Sequence, residues 1–243
     1  VCRRFYKYPK GVKVIYKKRQ WDDSPVPFIY VDNFLDEKTC LELHDECLNA
    51  PRGGWTLFSR AGSAMEEYND LFYSKVAHKT TYDLFHSGEF LLELEQLTGI
   101  VGLMPDPHLV GAGFSRFRKG KELKIHYDFN WNDRLRLHRK LTCMLFLNPN
   151  WKETWGGHQQ YWTGRDGEMI DEVAPMFNRF IMFENKKESP YHSVRKLTCP
   201  KNQIRTAIRI FYYISSSDYD ENDPPHRSIY DTDEYTHTRL YDE

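Results

Sequence analysis

Leu123-Lys124-Ile125-His126-Tyr127-Asp128-Phe129-Asn130 reads as a short β-strand, and the rest of the chain is organised around it. Side chains alternate along a strand, so His126 and Asp128 share a face. An imidazole and a carboxylate two residues apart can grip one metal ion from adjacent corners, and a histidine far down the chain would complete a face of three ligands. Outward from this stretch, the chain beyond residue 107 has the texture of short strands. The spacing predicts them at Val110–Arg118, Leu123–Phe129, Leu141–Leu147, His158–Thr163, Met169–Val173, Arg179–Glu184, Tyr191–Val194 and Gln203–Ile214. Turn signals separate them: Arg118-Lys119-Gly120, Asn148-Pro149-Asn150, Gly156-Gly157, Gly164-Arg165-Asp166-Gly167 and Ser189-Pro190. Short strands in this rhythm predict a double-sheeted jelly-roll or cupin-like barrel.

The first hundred residues read differently. Pro27-Phe28-Ile29-Tyr30-Val31 is strand-like, and a helix is predicted from Asp36 to just before Pro51-Arg52-Gly53-Gly54. Trp55 to Arg60 reads as a strand, and residues 65–99 as mostly helical, broken at Gly88. The layout is α+β: a double-stranded β-helix (jelly-roll) core with N-terminal supporting helices. The 243 residues are expected to form one domain, with 1–106 as helical support and flanking strands, 107–215 as the core and 216–243 as an acidic C-terminal tail.

Composition narrows the function. A net charge of −1 gives no global attraction to nucleic acid. The five cysteines are odd in number and contain no Cys-x-x-Cys pair, which argues against a disulfide framework or a zinc ribbon. No apolar run approaches the roughly 18 residues of a membrane span, so a cytoplasmic protein is the expectation. Residues 1–19 are basic without an acidic residue, whereas 216–243 are strongly acidic, so the ends could pair with each other or receive a partner.

Several histidines follow Asp128. His138 sits among Arg134, Arg136, Arg139 and Lys140, where cations would repel a metal; His158 opens a strand and stays open as a ligand; His192 follows the apolar strand Phe180-Ile181-Met182-Phe183. His44 and Glu46 lie two apart on the predicted helix and diverge too far to share an ion. Farther on, Arg205, Ala207, Arg209 and Phe211 form one face of a strand and Ile208, Ile210 and Tyr212 the other. An arginine in an apolar strand needs an anionic partner, either an internal carboxylate or a bound dicarboxylate. No His-Glu-x-x-His segment is present, which removes the common zinc-hydrolase pattern.

Taken together, residues 112–215 resemble the catalytic core of Fe(II)- and 2-oxoglutarate-dependent dioxygenases, and are most similar to the prolyl 4-hydroxylase-like branch, which includes the ribosomal-protein and hypoxia-factor prolyl hydroxylases. The matching pieces are the opening stretch, Leu145-Phe146-Leu147-Asn148-Pro149-Asn150-Trp151, Trp155-Gly156-Gly157, Pro175-Met176-Phe177-Asn178-Arg179, Tyr191-His192 and Arg205-Thr206-Ala207-Ile208. The resemblance implies that His126, Asp128 and His192 bind Fe(II) and that Arg205 clamps the distal carboxylate of 2-oxoglutarate, with Arg209 ranked second. The family often has a tyrosine where Phe146 stands, hydrogen-bonded to that carboxylate, so Thr142 or another hydroxyl is expected to compensate. The implied reaction is hydroxylation of a peptidyl proline with O2, coupled to decarboxylation of 2-oxoglutarate to succinate and CO2, with ascorbate as an auxiliary. A free amino acid or other small molecule is the alternative substrate, and a non-catalytic metal- or 2-oxoglutarate-binding sensor is the rival class. Trp131, Trp151, Trp155, Tyr161 and Trp162 are expected around the barrel mouth, and the basic run 134–140 in a turn beside it. No nucleic acid or membrane partner is expected.

Overall fold

The computed structural model describes residues 27–60, 62–186, 190–215, 223–230 and the backbone of 235–239. The basic run 1–19 and most of the acidic tail lie outside the described residues.

Among the described residues, two antiparallel sheets face each other. The larger is built on β1 (Phe28–Val31), β2 (Thr56–Arg60), β3 (Ser63–Tyr68), β5 (Gly113–Arg118), β8 (Leu137–Phe146), β11 (Phe180–Glu184), β13 (Ile204–Ile214) and β14 (Tyr235–Arg239). Its order is β1-β11-β8-β13-β5-β3-β2-β14, with β4 (Met104–Pro105) beside β13 and β7 (Trp131–Asn132) beside β8. The smaller sheet runs β10 (Met169–Val173), β9 (Gln159–Trp162), β12 (Tyr191–Val194), β6 (Leu123–His126). This is the double-stranded β-helix.

Strand alternation divides the packing. On β8, Leu141, Cys143 and Leu145 point to the outer face of the large sheet, joined there by Ile208, Ile210 and Tyr212 of β13. Helices cover that face. α1 (Glu37–Leu48) starts where the Asp36 carboxylate accepts from Thr39 N at 2.9 Å, and it buries Cys40, Leu43 and Cys47. α2 (Val76–Lys79) passes into a π-helical turn at Thr80–Phe85, and α3 (Gly88–Thr98) buries Phe90, Leu94 and Leu97. Each large apolar side chain fully buried here contributes about 1.5–3 kcal/mol. The even-numbered side of β8 instead meets the small sheet, where Met144, Phe146 and Phe183 pack with Tyr161.

The helical expectation for residues 65–99 is wrong at its start. Ser63–Tyr68 is a strand that pairs Glu66, Glu67 and Tyr68 with Arg116, Ser115 and Phe114. Charge decides it: Glu66 bonds to Arg116 and Arg118, and Glu67 to Arg209, contacts only a sheet can assemble. The approach of β5 to β3 is so close that a Cβ on Gly113, at φ +83°, would lie 2.4 Å from Tyr68 O. Strand β8 also begins earlier than predicted, taking His138 and Arg139 out of the supposed turn. No helix among the described residues is long and apolar enough to cross a membrane.

Candidate active site

Antiparallel pairing of β6 with β12 sets His126 directly opposite His192, which is how the chain brings the distant histidine back. Strand β6 ends at His126, so Asp128 sits just past it, fixed by reciprocal backbone hydrogen bonds between Tyr127 and Ile229. One ligand-type atom from each of His126, Asp128 and His192 lies within 4.8 Å of the other two. His126 Nε2 is 3.6 Å from Asp128 Oδ1, and His192 Nε2 is 3.5 Å from Asp128 Oδ2.

The backbone sets the tautomers. His126 Nδ1 lies 2.8 Å from Lys124 O, and His192 Nδ1 lies 2.9 Å from Pro190 O. A carbonyl only accepts, so both Nδ1 atoms carry the proton and both Nε2 lone pairs face the cluster. Burial, reinforced by His126, pushes the His192 pKa down to about 4, so the imidazole is neutral at pH 7. Burial pushes the Asp128 carboxyl up, but Arg139, His192 and His126 outweigh it and hold it well below the usual carboxylate range. Two imidazole nitrogens and one anionic oxygen converging on a point suit a divalent transition metal with open positions.

Arg139 is the residue that sequence reasoning missed. Its Nη2 donates to Asp128 Oδ2 at 2.7 Å and to Thr142 Oγ1 at 2.6 Å, and its guanidinium carbon lies 3.5 Å from the Phe211 ring centroid and 4.4 Å from that of Phe129. Simple alternation from Thr142, Met144 and Phe146 would place Arg139 on the helix side. A register shift between Tyr212 and Tyr213 skips one residue of β8 and turns Arg139 inward.

Arg205 lies on β13, opposite Phe117. It is 1% exposed, its Nε donates to Gly157 O at 2.7 Å, and its Nη2 is buried without a partner. No carboxylate among the described residues pairs with it, and burial followed by the charge of Arg209 lowers its pKa to about 9. Arg209, the second candidate, is already paired with Glu67 at 2.6 Å. Phe146 presents only its ring to Arg205, 4.9 Å from the guanidinium carbon. Thr142 lines the same cavity, but its hydroxyl accepts from Arg139 and donates to Asn185 Oδ1 at 2.7 Å, so its proton is committed.

His126, Asp128, Arg139, Thr142, His192, Arg205 and Arg209 open on one cavity of about 700 Å³ between the two sheets, within the range of small-molecule sites, whereas Phe146 does not line it. Its walls include Phe58, Met65, Phe117, Met144, Phe183 and Phe211. A C-terminal segment crosses beside the opening stretch. Asn130 accepts from His226 N and donates to Asp223 O and Pro224 O, Phe129 N donates to Ser228 Oγ, and Tyr230 lies flat on His126 with centroids 4.7 Å apart at 5°. Sequence periodicity carries no signal for a segment held by such irregular contacts.

Other expectations need correction. Of the five aromatics assigned to the mouth, only Trp131 lines the cavity. Trp151 and Trp155 pack edge to face on each other, Tyr161 stacks on Phe28, and Trp162 Nε1 donates to Ser193 Oγ. Burying those rings in the sheet faces does more for stability than exposing them at a rim. His158 stays outside the three-residue cluster. His44 bonds through Nδ1 to Leu147 O, and Glu46 accepts from Val76 N and Ala77 N at the start of α2, so neither is near a metal site.

No curated protein sequence matches the chain. Solved structures do. A Pseudomonas putida prolyl-4-hydroxylase is 17% identical with a TM-score of 0.57, covering 77% of this chain and 92% of its own. A Trichoplax adhaerens prolyl hydroxylase, in complex with a hypoxia-inducible factor peptide, is 20% identical with a TM-score of 0.55, covering 81% and 86%. A Phytophthora capsici prolyl 4-hydroxylase is 22% identical with a TM-score of 0.55, covering 85% and 67%. At these identities the likeness establishes the fold. The profile described as the 2OG-Fe(II) oxygenase superfamily matches residues 112–213, the stretch that holds the three clustered residues and Arg205, so this part of the chain is similar to that superfamily.

Proposed function

We propose that the chain, acting as one dioxygenase domain, is an Fe(II)- and 2-oxoglutarate-dependent hydroxylase of a peptidyl proline, with His126, Asp128 and His192 as the metal face and Arg205 as the clamp for the cosubstrate's distal carboxylate. The observation that carries this reading is Arg205: a buried guanidinium with an unpartnered Nη2, in the same cavity as the three converging donors. A buried cation without a counter-charge is costly unless an anion completes it, and a dicarboxylate does so.

When bound, iron with 2-oxoglutarate and O2 supplies oxidation of a C–H bond to an alcohol, coupled to release of succinate and CO2. The protein's part is placement. His126 and His192 present Nε2 lone pairs with their rings locked by backbone carbonyls, and Asp128 supplies the anionic donor. Arg139 keeps that carboxylate ionised and aimed, with Thr142 holding Arg139 in turn. Phe183 packs against His192 at 4.9 Å between centroids and, with Phe211, gives the cavity an apolar wall. Fe(II), 2-oxoglutarate and O2 are the cofactor set, and ascorbate as an auxiliary reductant belongs to the same reading. The peptidyl-proline assignment is supported by the similar structures, one of which was solved with a peptide bound.

The test is succinate release from 2-oxoglutarate with Fe(II), with and without proline-containing peptides, and with free amino acids as the comparison. Turnover that rises with peptide and disappears in His126→Ala and Arg205→Ala supports the assignment. Unchanged turnover in both variants refutes the site, and stimulation by free amino acids alone refutes the peptide substrate.

A further inference from the structure

One polar atom in the cavity wall has no role in the site described so far. Ser115 on β5 is 1% exposed, lines the cavity, and its Oγ is buried without a hydrogen-bond partner. A buried hydroxyl left unsatisfied costs about 1–3 kcal/mol, so its position needs a reason. The sheet register supplies one. Ser115 is directly opposite Ala207 on β13, and Ala207 is directly opposite Phe146 on β8, so the three form one row across three adjacent strands. Paired residues of an antiparallel ladder point to the same face. Arg205 is two residues from Ala207 on that face, paired with Phe117 just beyond Ser115. In the middle of the row Ala207 has only a methyl group and packs with Phe146, while Ser115 and Arg205 both line the cavity, so a group bound there can meet the two together.

We propose that Ser115 is a further 2-oxoglutarate-binding residue, its hydroxyl donating to the same distal carboxylate that Arg205 holds. The assignment rests on the cosubstrate reading above. It also answers a chemical problem in the row: Phe146 has no donor, and the Thr142 proton is bound to Asn185. A carboxylate held by a guanidinium alone has further lone pairs to satisfy in a dry pocket, and the free Ser115 hydroxyl is an available donor on the same face.

The test is the affinity of 2-oxoglutarate for the Fe(II)-loaded full chain under anaerobic conditions, measured by calorimetry, together with the unfolding midpoint of each protein without ligand. Ser115→Ala is expected to weaken 2-oxoglutarate about tenfold, the worth of one hydrogen bond to a charged group. It should leave the ligand-free unfolding midpoint unchanged or higher, because it removes an unsatisfied buried hydroxyl. Adding Phe146→Tyr, which returns a hydroxyl to the other end of the row, should restore most of the affinity. A merely structural serine would lower the midpoint and gain nothing from Phe146→Tyr. The proposal is overturned if Ser115→Ala binds 2-oxoglutarate as the unmodified chain does while Arg205→Met does not bind it. If Arg205→Met also binds normally, the cosubstrate reading itself falls.

Discussion

Replacing Arg205 by methionine should make the ligand-free protein more stable and at the same time unable to hold 2-oxoglutarate. The magnitude follows from the burial of the guanidinium. Its pKa falls from 12.5 to about 9, and at roughly 1.36 kcal/mol per pH unit the charged side chain costs the fold on the order of 5 kcal/mol. The bond from Nε to Gly157 O returns part of that, about 1.5–3 kcal/mol for a charged donor. Methionine has similar length and no charge, and its stem can lie against the Phe117 and Phe146 rings that flank the guanidinium. The net expectation is a gain of about 2–3 kcal/mol, or roughly 5–10 °C in unfolding midpoint for a chain of this size. With Mn(II) already saturating, adding 2-oxoglutarate should raise the midpoint of the unmodified chain further and leave that of Mn(II)-loaded Arg205→Met unmoved, with affinity reduced about 100- to 1,000-fold. Thermal unfolding with and without ligand, with calorimetry for the dissociation constants, measures both. A less stable variant that still binds 2-oxoglutarate would refute the reasoning, because Arg205 would then be a structural cation with its charge already satisfied.

Three further outcomes follow from neighbouring contacts. Arg139→Met strips the buried Asp128 carboxylate of its guanidinium and should cost about 3–5 kcal/mol in the metal-free protein, measured by urea unfolding; Co(II) should return more stability to the variant than to the unmodified chain, and equal increments would show that Arg139 does not act through Asp128. Tyr230→Leu removes the ring stacked on His126 and should weaken Co(II) about tenfold and shift its visible absorption, whereas Tyr230→Phe should leave both in place; an unshifted spectrum in Tyr230→Leu would count against any hold of this residue on the site. His86 is neutral by burial, with its pKa lowered to about 4 from 6.5, so the unfolded chain takes up a proton below pH 6.5 that the folded chain refuses. Stability should therefore fall as pH drops from 6.5 toward 4, by at most about 2 kcal/mol from this residue at pH 5, and His86→Phe should flatten that part of the curve; identical slopes would refute the attribution.

The cluster of His126, Asp128 and His192 was the most legible part of the chain. The His-x-Asp pair at a strand end is a local pattern that strand periodicity reports, whereas His192 and Arg205 were singled out by the family resemblance of the segments around them. The strands of the core were legible by the same periodicity, each within a few residues of its observed bounds. What failed was what depends on long-range pairing. Ser63–Tyr68 has apolar spacing that fits a helix, and only its partners Arg116 and Arg209, far along the chain, make it a strand. Arg139 looked like part of a solvated turn because a bulge, invisible in sequence, reverses the face it occupies. Thr142 was read as a free hydroxyl, while the bulge turns Arg139 of its own strand onto it and Asn185 reaches it from the end of β11. Ser115 drew no attention, since a lone serine in a strand becomes informative only when its hydroxyl is found buried and unpartnered.

The charges of the cavity also order the events of binding. Arg209 is neutralised by Glu67 and Arg139 by Asp128, which leaves Arg205 as the cation without a carboxylate partner among these three. Loading a dication onto His126, Asp128 and His192 draws the Asp128 charge toward the metal and leaves Arg139 less compensated, so the cavity then holds two under-compensated guanidinium groups. A dianionic cosubstrate relieves both excesses at once, and it can bind strongly only when the metal is there to receive its other end. Metal and 2-oxoglutarate should therefore bind with positive coupling of about 1–3 kcal/mol, and linkage requires each to tighten the other by the same factor. Titrating Co(II) at zero and saturating 2-oxoglutarate, then 2-oxoglutarate at zero and saturating Co(II), measures that factor twice. In Arg205→Met the coupling should shrink, because one of the two excess charges is gone. Independent binding in the unmodified chain would mean that Arg139 stays fully paired when the metal enters, and that the cavity carries no charge imbalance for the cosubstrate to correct.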